Sequence, residues 1–286
     1  MSRQPVLFLT HGGGPMPLLD DPTHTALTAS LRELGSRLRA GTAAADMAGA
    51  PPQAVLVISA HWAAPGAAVE LSTGAADGAL LFDYSGFPPQ AYAYDYRAPA
   101  AADLAPRVAG LLQGAGVGVA RDGAPAQRGF DHGVFVPLML MFPEAAVPIL
   151  QLSMLDSLDA AAHLAIGRAL APLREEGVLI VASGSSFHNM GAFFGAAGAD
   201  AARWSQEFGD WLAATCAAPA PEREAALARW ESAAPFAREC HPREEHLIPL
   251  MVAAGAAGAD APRPVQRRTD GDAVPQLSVW RVRQLA

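Results

Sequence analysis

Lysine is absent from all 286 residues, so each of the 20 basic side chains is an arginine. Charged residues make up only 17% of the chain, against about 25% in ordinary globular proteins. The 28 acidic residues leave a formal net charge of −8. A chain of this balance has no clustered positive field for nucleic acid or an anionic membrane surface. Cysteine is nearly absent too: Cys216 and Cys240 are too few for a disulfide framework or a four-cysteine zinc site. No apolar run approaches the ~18 residues that a membrane span requires; Phe135 to Phe142 comes nearest and contains Pro137. The apolar stretch at Met1 to Leu9 is short and is followed by no small-residue cleavage site. The Ala- and Gly-rich patches (Ala43 to Ala50, Gly195 to Ala202, Ala253 to Ala261) keep no fixed period and lack the polarity of a linker. These absences predict a soluble cytoplasmic protein with no nucleic-acid or membrane partner, built as one domain over residues 1–286.

Hydrophobic residues form 51% of the chain, enough for a sizeable core. Continuous apolar runs of strand length predict strands covered on both faces at Val6–Thr10, Ala54–Ser59, Val147–Leu152, Val178–Ala182 and Leu277–Val282. Longer helical patterns separate them. Thr23–Arg39 follows the start signal Asp20-Asp21-Pro22, Asp131 is placed to cap a helix from Val134, and Leu158, Ala162, Ala165, Ala169 and Leu173 space out one helical face. Ala201–Thr215 and Leu247–Ala254 read as further helices. Alternation of this kind predicts an α/β sandwich: a central, largely parallel or mixed sheet flanked by helices.

Against the sparse charge stand eight histidines. Ligands of open α/β sheets bind beyond the carboxyl ends of the strands. His11 follows the first strand, His61 the second, and His188 lies just past the strand from Val178. Any one of them could be a hydrogen-bonded core histidine. Three at one sheet edge point to a metal, because imidazole is a common ligand and metals gather ligands from distant segments. His132 opens a helix, where the positive dipole end favours a neutral, basic imidazole. His246 lies at a helix start marked by Pro249. His24, His163 and His241 read as structural. Gly12-Gly13-Gly14 fits no phosphate-binding spacing, and there is no lysine to reach a phosphate.

His11-Gly12-Gly13, Ser59-Ala60-His61-Trp62, Asp131-His132-Gly133, Ser183-Gly184-Ser185-Ser186-Phe187-His188-Asn189 and Glu245-His246-Leu247-Ile248-Pro249-Leu250 stand in this order along the chain. Together with Gly86-Phe87-Pro88 and Pro148 to Ser153, they resemble the class III extradiol ring-cleavage dioxygenases, in particular the DOPA-4,5-dioxygenase-like branch. The likeness covers His11 to about Gly255. It implies an α/β fold holding Fe(II), with Zn(II) as the other metal the branch binds, and a catechol-type substrate opened with O2. It also implies His11, His61 and His246 as metal ligands. His188 is implied as the acid/base residue and as a further ligand, with His132 as a second catalytic histidine. A carboxylate often fills the third ligand position in iron sites of this general type. Three neutral imidazoles would instead leave the M²⁺ charge intact, strengthening its hold on an anionic catecholate.

Tyr92, Tyr94 and Tyr96, with Phe87 and Trp62, could wall an aromatic pocket, and Arg97, Arg121 or Arg128 could stand at its mouth. Two rival readings remain open. A zinc hydrolase would use a three-histidine zinc to activate water, with Glu244 or Glu245 as base; a non-enzymatic relative would use the same fold to bind a protein or a metal. The sequence leaves monomer and homo-oligomer equally open.

Overall fold

The computed structural model describes residues 3–41, 50–193, 195, 200–264 and 280–283. Nine strands are present among them: β1 Val6–Thr10, β2 Ala54–Ala64, β3 Ala68–Val69, β4 Leu71–Ser72, β5 Gly118–Val119, β6 Ile149–Leu155, β7 Val178–Gly184, β8 Ala261–Pro264 and β9 Trp280–Arg283. Seven form one sheet in the order β4-β6-β2-β7-β1-β9-β8, and β3 pairs with β5 apart from it. The central four, β6, β2, β7 and β1, run parallel, while β4, β9 and β8 join antiparallel at the two edges. A mixed, largely parallel sheet flanked by helices is the architecture that the alternating pattern predicts.

The continuous apolar runs have a direct reading in the sheet. Successive side chains point to opposite faces. Val6, Phe8, Leu56, Ile58, Ile180 and Ala182 enter the core on one side, and Leu7, Leu9, Val55, Val57, Leu179 and Val181 the core on the other. Helices α1 (Thr25–Ala40) and α3 (His132–Met141) cover the second face; α2 (Ala105–Gly114), α4 (Ala160–Leu170), α6 (Asp200–Ala217) and α10 (Ile248–Ala257) cover the first. Short helices α5 (Met190–Phe193), α7 (Ala220–Leu227), α8 (Trp230–Ala233) and α9 (Ala237–Cys240) link them. Leu27, Leu31, Leu34 and Leu38 make the buried stripe of α1. Truncating a leucine this deeply buried costs about 2–5 kcal/mol.

Four expectations are corrected. Asp21 caps a 3-10 turn at Pro22–His24, so α1 itself begins at Thr25. The buried face of α4 runs through Ala160, His163, Leu164, Gly167 and Leu170, because Asp159 caps the helix and Leu158 lies outside it at φ 50°. Asp131 stands at the N-cap of α3 without capping it; its carboxylate is taken by other groups. The last strand is Trp280–Arg283, and residues 277–279 of the expected span lie outside the described residues. Of the Ala- and Gly-rich patches, 42–49 and 196–199 also lie outside them.

Candidate metal centre

Strand β2 departs from expectation in a way that shapes the site. It continues past Ser59 to Ala64, and its register against β6 shifts between Ile58 and Ala63. His61 stands in that irregular stretch, not beyond the strand end. The Ser59 hydroxyl accepts from His61 N–H at 3.2 Å, and the His61 carbonyl accepts from Arg128 at 3.2 Å. Ser59 and Arg128 in turn both donate to the fully buried carboxylate of Asp131 at 2.7 Å, joined by Gln151 at 2.9 Å. This network fixes the backbone of His61 from both sides. Arg128 also lies over the Trp62 ring, so the two side chains pack on each other. Arg97 and Arg121 are exposed on the surface.

His11 is held from a different direction. Pro137 lies inside α3 and has no N–H for the Gly133 carbonyl one turn back. The Ser183 hydroxyl donates to that carbonyl at 2.5 Å. With its proton committed, Ser183 Oγ accepts from His11 Nδ1 at 2.9 Å, which assigns the ring proton to Nδ1 and leaves Nε2 with a lone pair. His246 reaches the same tautomer through Glu245, whose Oε1 lies 2.9 Å from its Nδ1. The His61 Nδ1 faces Asp83 Oδ2 at 3.3 Å. The three residues gather, with His11 Nε2 and His61 Nε2 only 3.0 Å apart.

All three imidazoles are neutral near pH 7. Burial drives His11 and His246 well below the ordinary histidine range, and neighbouring histidines push the same way. Burial and His132 bring His61 down to about 4, against the opposing pull of Asp131 and Asp83. Bare nitrogens this close repel each other unless a cation lies among them. Neutral imidazoles, each oriented by an acceptor at its far nitrogen, are the donor set of a divalent metal site.

The remaining predicted residues border this trio. His188 stacks on His246 with ring centroids 3.4 Å apart, and its Nδ1 lies 3.2 Å from Glu245 Oε1. It groups with Glu245 and His246, outside the set of His11, His61 and His246. His132 lies 4.0 Å from the His61 ring and directs its Nδ1 to Asp83 Oδ1 at 2.7 Å. Asp83 also accepts from the His132 backbone N–H, so it supplies the cap that Asp131 does not. Two carboxylates therefore each join a pair of histidines. Burial alone would raise both, but the N–H donors of His132 hold Asp83 down at about 2, and those of His188 and His246 lower Glu245 further. An ionised carboxylate facing a neutral imidazole N–H satisfies both shifts at once.

Both glutamates named in the hydrolase reading have partners. Glu245 Oε1 faces two histidines, and Glu244 is paired with Arg238 at 2.5 Å. Glu245 thus borders the histidine cluster directly. Two glycines make the gathering possible. A Cβ at Gly184 would stand 2.1 Å from the His246 carbonyl oxygen, and one at Gly133 would meet Ser59 Oγ at 2.4 Å and His61 Cδ2 at 3.1 Å.

The aromatic wall is built differently from the predicted one. Tyr84 is its centre, 5.7 Å from His132, 5.4 Å from Phe87 and 5.5 Å from Tyr92, with Phe82 and Phe135 behind. Tyr94 packs on Phe135, while Tyr96 is buried under α3 with its hydroxyl donating to Phe142 and Leu138 carbonyls. The period of two fails because Pro89–Tyr92 is a 3-10 turn. Asp83 and Tyr84 carry no spacing signal in the sequence. Gly86-Phe87-Pro88 beside them is the nearest pointer. His24, His163 and His241 bond to backbone groups, at Gly13, Leu155 and Ser186.

The fold and site define an α/β protein with a histidine cluster able to hold a metal at the carboxyl edge of a largely parallel sheet. The family described as the catalytic LigB subunit of aromatic ring-opening dioxygenase matches residues 5–279. The chain is 36% identical over 256 residues to a 4,5-DOPA dioxygenase extradiol of Beta vulgaris, covering 89% of this chain and 87% of that one. It is 32% identical over 281 residues to a protein of the same description from Escherichia coli (strain K12), covering 98% and 94%. It is also 38% identical over 269 residues to the dioxygenase tasH of Hapsidospora irregularis, covering 90% and 79%. Among solved structures, an uncharacterised Escherichia coli K12 protein, JW3007, superposes with a TM-score of 0.69 at 28% identity over 97% of this chain and 99% of that one. The chain belongs to the LigB family of aromatic ring-opening dioxygenases.

Proposed function

We propose that residues 1–286 form a single catalytic domain that opens a catechol-type ring with O2 in the extradiol manner. His11, His61 and His246 hold the metal, Fe(II) first and Zn(II) as the other candidate. The observation that carries this reading is the convergence of three imidazoles, His11 and His246 buried and His61 part-buried, whose Nδ1 sides are taken by Ser183, Asp83 and Glu245. Bound Fe(II) would supply the site at which catechol and O2 meet and electrons leave the ring, chemistry the side chains alone cannot provide.

The protein's own part is positioning and proton handling. Tyr84, Phe87 and Tyr92 offer the aromatic wall against which a flat ring can stack. His188, one-quarter exposed and backed by Glu245, takes a catechol hydroxyl proton at Nε2 and returns it during ring opening; it is also the candidate for a further ligand. Such help is worth about 10²–10⁴-fold in rate. His132, its Nδ1 engaged by Asp83, offers Nε2 to the substrate. The relatives described as 4,5-DOPA dioxygenases support a catechol-type substrate. Its partners are that small molecule and O2, in the cytoplasm. Among the described residues no helix is long and apolar enough to cross a membrane.

The test is anaerobic loading with Fe(II), then a catechol panel and O2, following O2 uptake and the coloured ring-opened product. His11→Ala and His61→Ala should lose metal and turnover together. If either variant keeps both, the ligand assignment is wrong. His188→Ala should keep metal and lose most of kcat; a wild-type rate would remove its acid/base role.

A further inference from the structure

His241 is fully buried, with the Phe208 and Trp230 rings 5.3 and 6.1 Å from its own. Its Nε2 lies 3.2 Å from the Ser186 carbonyl oxygen. That oxygen can only accept, so Nε2 carries the ring proton and Nδ1 is bare. Nδ1 is buried without a hydrogen-bond partner, an arrangement that costs stability. A phenylalanine would fill the same aromatic box without that cost, so the histidine is kept for the bond it donates. Burial pushes its pKa down to about 3, and the ring remains a neutral donor near pH 7.

What the bond holds is the loop that carries His188. Three hydrogen bonds lace residues 186–189 onto the end of α9: His241 Nε2 to the Ser186 carbonyl, His188 N–H to the Cys240 carbonyl at 2.9 Å, and Asn189 Nδ2 to the Glu239 carbonyl at 2.8 Å. Ser185 N–H adds a fourth tie, to the His246 carbonyl at 2.8 Å. The His241 and Asn189 bonds are both made by side chains, and of the four ties the His241 bond is the one donated to the loop rather than from it. The same short segment then supplies Glu245, which faces the His188 ring.

We propose that His241 is a positioning residue for His188: its Nε2–H clamps the Ser186 carbonyl and so holds the His188 ring stacked against His246. This rests on the reading of His188 as the acid/base residue. The segment from His241 to His246 then sets the loop, orients the ring and offers a ligand within six positions.

The test uses His241→Leu, which removes the donor, and His241→Gln, whose amide can donate to the same carbonyl. Each is made in the Fe(II)-loaded wild type and in His188→Ala. His241→Leu should lower kcat roughly 10- to 100-fold, the scale of a small misplacement of a reacting group, with KM and bound metal unchanged. His241→Gln should restore most of that loss, and in His188→Ala the leucine change should have no further effect. In the metal-free protein, amide hydrogen exchange over residues 185–190 should quicken in His241→Leu while β7 keeps its protection. Should the leucine variant not fold, His241→Phe carries the same comparison. Wild-type kcat in His241→Leu, or an equal loss in both backgrounds, overturns the proposal. If His188→Ala itself turns over at the wild-type rate, the acid/base reading fails instead. The exchange data then decide the clamp: faster exchange supports it, and unchanged exchange overturns it.

Discussion

Replacing Asp83 by asparagine removes one charge and turns one carboxylate oxygen into an NH2 group. Three nitrogens converge on this side chain: His132 N–H at 3.1 Å and His132 Nδ1 at 2.7 Å on Oδ1, and His61 Nδ1 at 3.3 Å on Oδ2. The single oxygen of asparagine satisfies the two His132 donors by staying at Oδ1. Its NH2 then faces His61 Nδ1, which accepts only if the ring proton moves to Nε2. That tautomer has no lone pair for the position 3.0 Å from His11 Nε2. Loss of such an orienting partner costs 10–100-fold in metal affinity, about 1.4–2.7 kcal/mol. Competition with a coloured chelator under anaerobic conditions measures it, and thermal unfolding of the metal-free protein checks that the fold is intact. An asparagine variant binding within threefold of wild type, and as stable, refutes the claim that Asp83 sets the His61 tautomer.

Other expectations follow from the same geometry. Gly133→Ala places a Cβ 2.4 Å from Ser59 Oγ; overpacking of this kind costs about 1–3 kcal/mol, to be read by urea unfolding, and metal affinity should fall with it because His61 must shift. Tyr84→Leu should raise KM for a catechol about threefold to tenfold, the value of one aromatic contact, while steady-state kcat stays within twofold. The metal-free protein should weaken in acid. The folded pKa of His61 is lowered to about 4 from 6.5, so the unfolded chain takes up its proton first. The stability that His61 contributes is full above about pH 6.5 and declines as pH falls towards 4, by about 3 kcal/mol. Asp83, lowered from 3.8 to about 2, gives up its share only at still lower pH. Urea midpoints that stay level between about pH 7 and pH 4.5 would contradict the sign.

The fold was legible because its core strands are covered on both faces, so Val6–Thr10 and Val178–Ala182 are apolar without interruption. The five histidines were legible because they sit at or near sheet edges inside recognisable motifs. What holds them was not. Asp83 comes from a loop with no period, and its partners stand 22 and 49 positions away. The link from Pro137 through Gly133 and Ser183 to His11 depends on a hydroxyl proton that only three-dimensional pairing assigns. Asp131 carries every local mark of a helix cap, yet Arg128 three positions earlier and Ser59 and Gln151 from two other segments claim its carboxylate. His241 reads as structural in the sequence because a histidine before proline in a charged stretch shows nothing of the carbonyl it meets 55 residues earlier.

The most direct test of the account is the metal content of protein purified without oxygen, measured together with O2 uptake on adding a catechol. The account predicts stoichiometric iron in the wild type, one O2 consumed for each ring opened, and loss of both in His11→Ala, His61→Ala and His246→Ala. Iron retained in all three variants, or stoichiometric zinc with no O2 uptake after Fe(II) loading, would contradict it.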